Sequence, residues 1–227
     1  MNRFAVFLLV PILAACGVVS QNQSISTSGE SSTNEITVFS SQRSADPVAF
    51  TVDDVAVQLT PPTEWAVNTT PYGVLLTEHI RSIATEGQLD GILLHTFVDP
   101  LDDVRVSISD TTSESYNPAL QILSQIVADT AYVGDSAVTS PLPFEWNGNP
   151  AAYYLLTNQD ENVSLVLGVI APETTRLLTL TVSAPVNQAS RIRTLLPELL
   201  SSLSLNGNLL DASALNGLPD PLEFPVP

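Results

Sequence analysis

The chain has 227 residues with 24 acidic and 7 basic side chains, and its formal net charge at pH 7 is −17. This charge argues against nucleic acid as a partner, because a polyanion has no attraction for phosphate backbones. All seven basic residues are arginine, so P-loop, Schiff-base and serine–lysine chemistry are excluded, and the only cysteine, Cys16, has no partner for an intrachain disulfide.

The chain begins with a segment that resembles a bacterial lipoprotein signal peptide. Arg3 precedes the apolar run Phe4–Val10, which is too short to span a bilayer core of about 30 Å. Leu13-Ala14-Ala15-Cys16 matches the bacterial lipobox. This resemblance implies cleavage before Cys16 and a diacylglycerol on its sulfur, with or without a further acyl chain on the new amino group. An ordinary secretory signal is the alternative.

Composition divides the rest of the chain into a tether, one domain and a tail. We expect residues 1–15 to be removed and residues 16–46, rich in Ser, Thr, Asn and Gln, to form a lipidated, disordered tether. About thirty such residues give a mean reach of roughly 30 Å. Residues 47–206 are predicted to form the domain. Residues 207–227 are predicted to be a Pro-rich tail that contains no helix. This tail is expected either to be loose or to lie over the domain.

Short apolar runs between turn residues predict strands in the first half of the domain. Alternation of apolar and polar residues indicates one buried and one wet face. The predicted strands are Val55–Leu59, Trp65–Val67, Val74–Ile80, Gly91–Val98 and Val104–Ser109.

The second half predicts two helices around an antiparallel meander. Asn117-Pro118 is a helix start, because the Asn side chain can cap and the Pro amide needs no partner, and the helix extends to about Asp129. Asn147-Gly148 predicts a hairpin turn. A second helix is expected from about Asn187 to Leu203, with a kink or break at Pro197. The meander and its hairpin comprise Phe144–Trp146, Ala151–Thr157, Val163–Val169 and Leu178–Ser183.

Two helices separated by these strands predict an α+β fold, a mostly antiparallel β-sheet flanked by helices. Three stretches then resemble the PsbP-like proteins, which include the extrinsic photosystem II subunit and many bacterial lipoproteins. They are the strand-Pro-Trp opening Leu59–Trp65, the Asn-Gly-x-Pro-Ala hairpin in Trp146–Ala152, and the helix end in Leu199–Leu205. The resemblance covers residues 48–206 and implies an α/β/α sandwich that binds other proteins and is not an enzyme.

His79 and His95 are the only histidines. If the runs around them form a hairpin turning near Gly87, the two rings could face each other. With Glu78 or Glu86 they could then hold zinc or act as a pH switch. The alternative is two ordinary sheet histidines, because Glu78 and His79 point to opposite faces of a regular strand.

Asp99, Asp102 and Asp103 form a carboxylate-rich segment that could bind calcium. It lacks the spacing and the glycine of an EF-hand loop, so a solvated turn in an acidic protein is the alternative that we favour.

Trp65, Trp146, Tyr153 and Tyr154 could form an exposed binding patch, but aromatic residues beside a hairpin more often close a sheet core, which is what we expect. No Gly-x-Ser-x-Gly elbow is present. We therefore assign no catalytic residue and expect no cofactor.

Together these features predict a lipoprotein of the bacterial cell envelope, anchored through Cys16 with its domain on the extracytoplasmic side. Its expected role is non-catalytic, as a module that binds or scaffolds another envelope protein. The alternative is a lipoprotein that senses or binds a ligand or a cation such as calcium or zinc. A hydrolase is a third hypothesis.

Overall fold

The computed structural model describes residues 42–43, 46–78, 89–99, 117–129, 133–171, 174 and 176–227. The first strands are β1 Gln42–Arg43, β2 Val48–Val52, β3 Val55–Leu59, β4 Ala66–Thr70, β5 Gly73–Thr77 and β6 Leu93–Val98. The later strands are β7 Ala137–Val138, β8 Leu142–Trp146, β9 Asn149–Thr157, β10 Asn162–Ile170, β11 Leu177–Pro185, β12 Ser204–Leu205 and β13 Asn208–Leu209. The helices are α1 Pro118–Ala128 and α2 Ala189–Leu200, with 3-10 turns at Val186–Gln188 and Ala212–Gly217.

Within the described residues, nine strands form one antiparallel sheet, here called the large sheet. Its order is β1-β4-β5-β6-β11-β10-β9-β7, and β8 pairs with β9 beside β7. The predicted meander is confirmed, because β10 pairs with both β9 and β11. The predicted strand Val104–Ser109 lies outside the described residues.

The two faces of the large sheet carry two different cores. Alternation along each strand sends one set of apolar side chains toward α2 and the other toward α1. The α2 side holds the larger core, to which α2 contributes Ile192, Leu196, Leu199 and Leu200. On the other side, α1 packs over β9 and β10 through Ala119, Ile122 and Leu123. The α+β prediction, a mostly antiparallel sheet flanked by helices, is thereby confirmed.

The start of α1 follows the sequence signal. The side chain of Asn117 accepts a hydrogen bond from the Leu120 N–H at 2.9 Å, and Pro118 occupies the first helical position. The second helix is preceded by a 3-10 turn, and α2 is not broken at Pro197, since it continues to Leu200. Pro197 lies on the exposed side of α2, where water can replace the backbone bond that proline cannot donate.

A small sheet with the order β13-β12-β3-β2, counted over the same described part of the chain, completes the larger core. Beyond it, the segment expected as a tail lies over the domain. Its leucines at positions 210, 215, 218 and 222 are buried in the larger core. Where we expected no helix, Ala212–Gly217 forms a 3-10 turn capped by the Asp211 side chain. Local composition did not reveal these contacts, because they depend on a surface that distant strands provide.

Candidate functional site

His95 lies in the middle of the large sheet, on the face that α1 partly covers. Its neighbours Leu94 and Thr96 point to the opposite face, where Leu94 joins the larger core. In the strand register, His95 lies opposite Leu75 of β5 and Thr181 of β11. On the β5 side, the residue across from His95 is therefore Leu75. His79 lies outside the described residues, and its pairing with His95 in one site stays a prediction.

The surroundings of His95 are aromatic and hydroxylic. The His95 ring centroid is 6.2 Å from that of Phe97, which in turn lies 6.0 Å from Tyr72 in an edge-to-face arrangement. On the same face, Ser164 and Ser183 share a buried hydrogen bond of 2.7 Å between their hydroxyl groups. These hydroxyls satisfy each other, so this serine pair is a cross-strand contact of the sheet.

Burial changes the titration of two side chains on this face. Loss of hydration lowers the pKa of His95 from its ordinary value of 6.5, because burial disfavours the imidazolium ion. The same cause raises the pKa of Tyr154 to about 12, because burial disfavours the phenolate. At pH 7 both side chains are therefore neutral, and His95 is a weaker base than an exposed histidine.

Glu78, which we considered as a metal ligand, is engaged by α2. Its Oε1 accepts from Arg191, its Oε2 accepts from Arg191 Nη1 at 3.1 Å, and Oε2 also accepts from the Ile92 N–H at 3.1 Å. Hydrogen bonding to Glu78 raises the pKa of Arg191. Both carboxylate oxygens are thus occupied by contacts that join β5 to α2.

Asp99 directly follows β6, and its N–H donates to the Leu177 carbonyl oxygen at 3.2 Å. Asp102 and Asp103 lie outside the described residues, so the calcium prediction stays a prediction. Across the described ranges, no three His, Cys, Asp or Glu side chains are grouped so that they could hold a metal ion.

The four aromatic residues that we expected in the core are buried. Trp146 is fully enclosed, and its Nε1–H donates to the Asp211 carbonyl oxygen at 3.0 Å. Trp65 and Tyr153 belong to the same larger core, while Tyr154 lies in the core beneath α1. These rings therefore stabilise the two faces of the large sheet and do not form an exposed patch.

A second long-range ion pair was missed by the sequence analysis. Arg176 Nη2 lies 2.6 Å from Asp53 Oδ2, joining the segment before β11 to the turn between β2 and β3. The partners are 123 positions apart. A weak signal was available, because Asp tolerates the positive φ of 49° found at position 53 and a turn there was predictable. That Arg176 is the partner of Asp53 could not be predicted from the sequence.

No helix in the part of the chain that the structure describes has both the length and the apolar character needed to cross a membrane.

Comparisons with known proteins concern the fold alone. No protein-family model matches the chain, and no curated protein matches it. The structure is similar to the solution structure of cyanobacterial PsbP (CyanoP) from Synechocystis sp. PCC 6803, with 14% sequence identity and a TM-score of 0.44. The match covers 77% of this chain and 98% of that chain.

Proposed function

We propose that this protein is a lipid-anchored module that binds another protein on the extracytoplasmic side of a bacterial membrane and has no catalytic activity of its own. The lipobox Leu13-Ala14-Ala15-Cys16 carries the anchoring part of the proposal. Two or three acyl chains provide stable attachment, since each buried methylene contributes about 0.8 kcal/mol. The polar tether then separates the acidic domain from the headgroups.

Glu78 and His95, two described side chains that we considered for chemistry, have structural contacts. Glu78 is held by Arg191 and by a backbone N–H, and His95 lies between Leu75 and Thr181 with its basicity lowered by burial. A general base needs a nearby proton to abstract and a pKa close to the working pH. The binding role itself is what the resemblance of Leu59–Trp65 and Trp146–Ala152 to PsbP-like proteins implies.

The anchor is tested by replacing the acylated sulfur. Wild type and Cys16→Ser are expressed in a bacterium with radioactive palmitate, and membranes are separated from soluble protein. We expect the wild type to be labelled and to sediment with membranes, and Cys16→Ser to be unlabelled and soluble. An unlabelled wild type, or a variant that still partitions with membranes, would refute the lipid anchor.

The binding role is tested by crosslinking in the native membrane followed by mass spectrometry. We expect one envelope protein to be enriched with wild type and to be absent from a crosslinked control that lacks the protein.

Thermal melts with and without calcium or zinc test the cation alternative. An upward shift of several degrees, which a ligand in hundredfold excess over its Kd would produce, would favour cation sensing over the proposed role.

A further inference from the structure

The large sheet ends at β7 and β8. Among the described residues, no further strand pairs with either of them on their outer side. Edge strands present backbone N–H and C=O groups that can pair with a strand of another chain. Here Leu142 is 50% exposed, so the edge also carries an apolar side chain that would favour such pairing.

The hairpin turn determines which backbone groups of β8 face outward. Asn147 and Gly148 have φ values of 53° and 77°, as a two-residue type I′ turn requires. The residues flanking such a turn, Trp146 and Asn149, form a hydrogen-bonded pair. Because pairs alternate along an antiparallel ladder between bonded and non-bonded types, this turn sets the pattern for the whole of β8.

Two non-bonded pairs follow from this pattern, Glu145 with Pro150 and Pro143 with Ala152. Each contains a proline, which has no N–H to donate to its partner, so the sequence agrees with the alternation. In non-bonded pairs the backbone groups of both residues point away from each other. The backbone of Pro143 and Glu145 therefore faces the open edge, and Pro143 offers no N–H there.

The edge also contains a bulge between β7 and β8. Val138 pairs with Leu156, whereas Leu142 pairs with Tyr153. Three edge residues thus lie opposite two residues of β9, and the one extra residue on the edge makes this a β-bulge. A bulge bends and twists the strand locally, and this makes continuous pairing with a straight partner strand unfavourable.

The bulge is held in place by Thr139. Its N–H donates to the Leu155 carbonyl oxygen at 2.9 Å, and its Oγ1 accepts from the Leu155 N–H at 2.9 Å. Pro141 follows immediately before β8 and removes another N–H from this edge. Prolines, bulges and charged side chains are the means by which sheet edges are kept from pairing.

We propose that Pro141 and Pro143 close this edge, which the bulge already bends, to strand addition, so that neither a second copy of this chain nor an extended segment of another protein pairs with β8. A strand added there would find an N–H at Glu145 but none at Pro143. It would also have to follow a bent edge whose Glu145 side chain is exposed. This inference is independent of the proposed function and restricts the way in which any partner binds.

The test replaces Pro141 and Pro143 with threonine, which restores the backbone N–H groups at these two positions. The full chain, purified in detergent, is compared with the double variant Pro141→Thr/Pro143→Thr by sedimentation velocity over a wide concentration range. The wild type should remain monomeric, and the double variant should reach an apparent mass about twice that of the wild type, as an isologous dimer requires. Leu142→Thr is the matched control, because it places a threonine at an exposed position of the same strand without adding a backbone N–H, and it should remain monomeric.

A double variant with native circular dichroism that stays monomeric at every concentration would overturn the proposal, as would a wild type that crosslinks to itself through β8. If the double variant does not fold, amide hydrogen exchange of the wild type tests whether the outer edge of β8 is unpaired. The Glu145 amide should exchange quickly while the Phe144 and Trp146 amides, which bond to β9, are protected. Protection of all three amides would show that the edge is occupied.

Discussion

Arg191 and Glu78 join the first turn of α2 to the end of β5, although 113 positions separate them in the sequence. The guanidinium donates to both carboxylate oxygens, which gives the two-point geometry of the stronger ion pairs. The side chain of Glu78 is 18% exposed and that of Arg191 is 43% exposed. The carboxylate is therefore the partner that loses most hydration, and it depends on the arginine to compensate.

Arg191→Met is expected to lower the free energy of unfolding by about 1 kcal/mol, because it leaves a largely buried carboxylate with fewer hydrogen bonds. Chemical denaturation measures the change. Arg193→Met is the matched control, since the bond that Arg193 makes to another described residue is a 3.3 Å contact from Nε to the Pro219 carbonyl oxygen at an exposed position, and its effect should be within about 0.5 kcal/mol. Equal losses for the two variants would contradict this role of the ion pair.

The pH dependence of stability should contain a contribution from His95. Burial lowers its pKa below the ordinary value of 6.5, so between these two values the unfolded chain binds more protons than the folded one. Stability therefore rises with pH across that window and is lost as the pH falls through it. His95→Gln removes the contribution, and the difference between the two stability–pH curves isolates it from the carboxylates. If the difference in unfolding free energy between wild type and His95→Gln does not vary with pH below 6.5, the His95 ring is not buried.

The features that sequence predicted correctly are those with local causes. Asn117 caps α1 through a residue three positions away, and Asn147-Gly148 sets the hairpin because both residues adopt positive φ. By contrast, the partners of Glu78 and Trp146 lie 113 and 65 positions away. Such contacts are decided by strand order and not by any local pattern, and for this reason neither was predicted.

The place of His95 illustrates the same limit for the candidate site. The extended run Gly91–Val98 predicted that it lies on a strand, and its pairing with Leu75 confirms a β5–β6 pair. The pattern did not reveal that the strand lies in the middle of the sheet, with Thr181 on its other side. That position, which lowers its basicity, depends on β11, more than 80 residues later.

The segment after β12 should contribute to stability in proportion to its burial. Leu215 is 0% exposed and belongs to the larger core, whereas Leu209 is 60% exposed. Leu215→Ala should lower the free energy of unfolding by about 3 kcal/mol, because it removes buried methyl groups and leaves a cavity. Leu209→Ala should change it by no more than about 0.5 kcal/mol. Chemical denaturation of both variants provides the comparison, and similar small losses would mean that this segment is not part of the cooperative unit.

Gly73 at the start of β5 should not tolerate any side chain. A Cβ there would lie 1.8 Å from the Thr96 carbonyl oxygen and 2.8 Å from its carbonyl carbon, and backbone atoms held in the β5–β6 ladder cannot move aside as a flexible side chain would. Gly73→Ala is expected to lower the free energy of unfolding by about 3 kcal/mol, the size typical of overpacking a rigid site. Gly217→Ala is the matched control, because nothing lies within 4 Å of its added Cβ, and it should change stability by less than about 0.5 kcal/mol. Thermal and chemical denaturation measure both. If Gly73→Ala unfolds at the same denaturant concentration as Gly217→Ala, β5 and β6 do not approach as closely as the structure has them, and His95 would then lose its assigned place opposite Leu75.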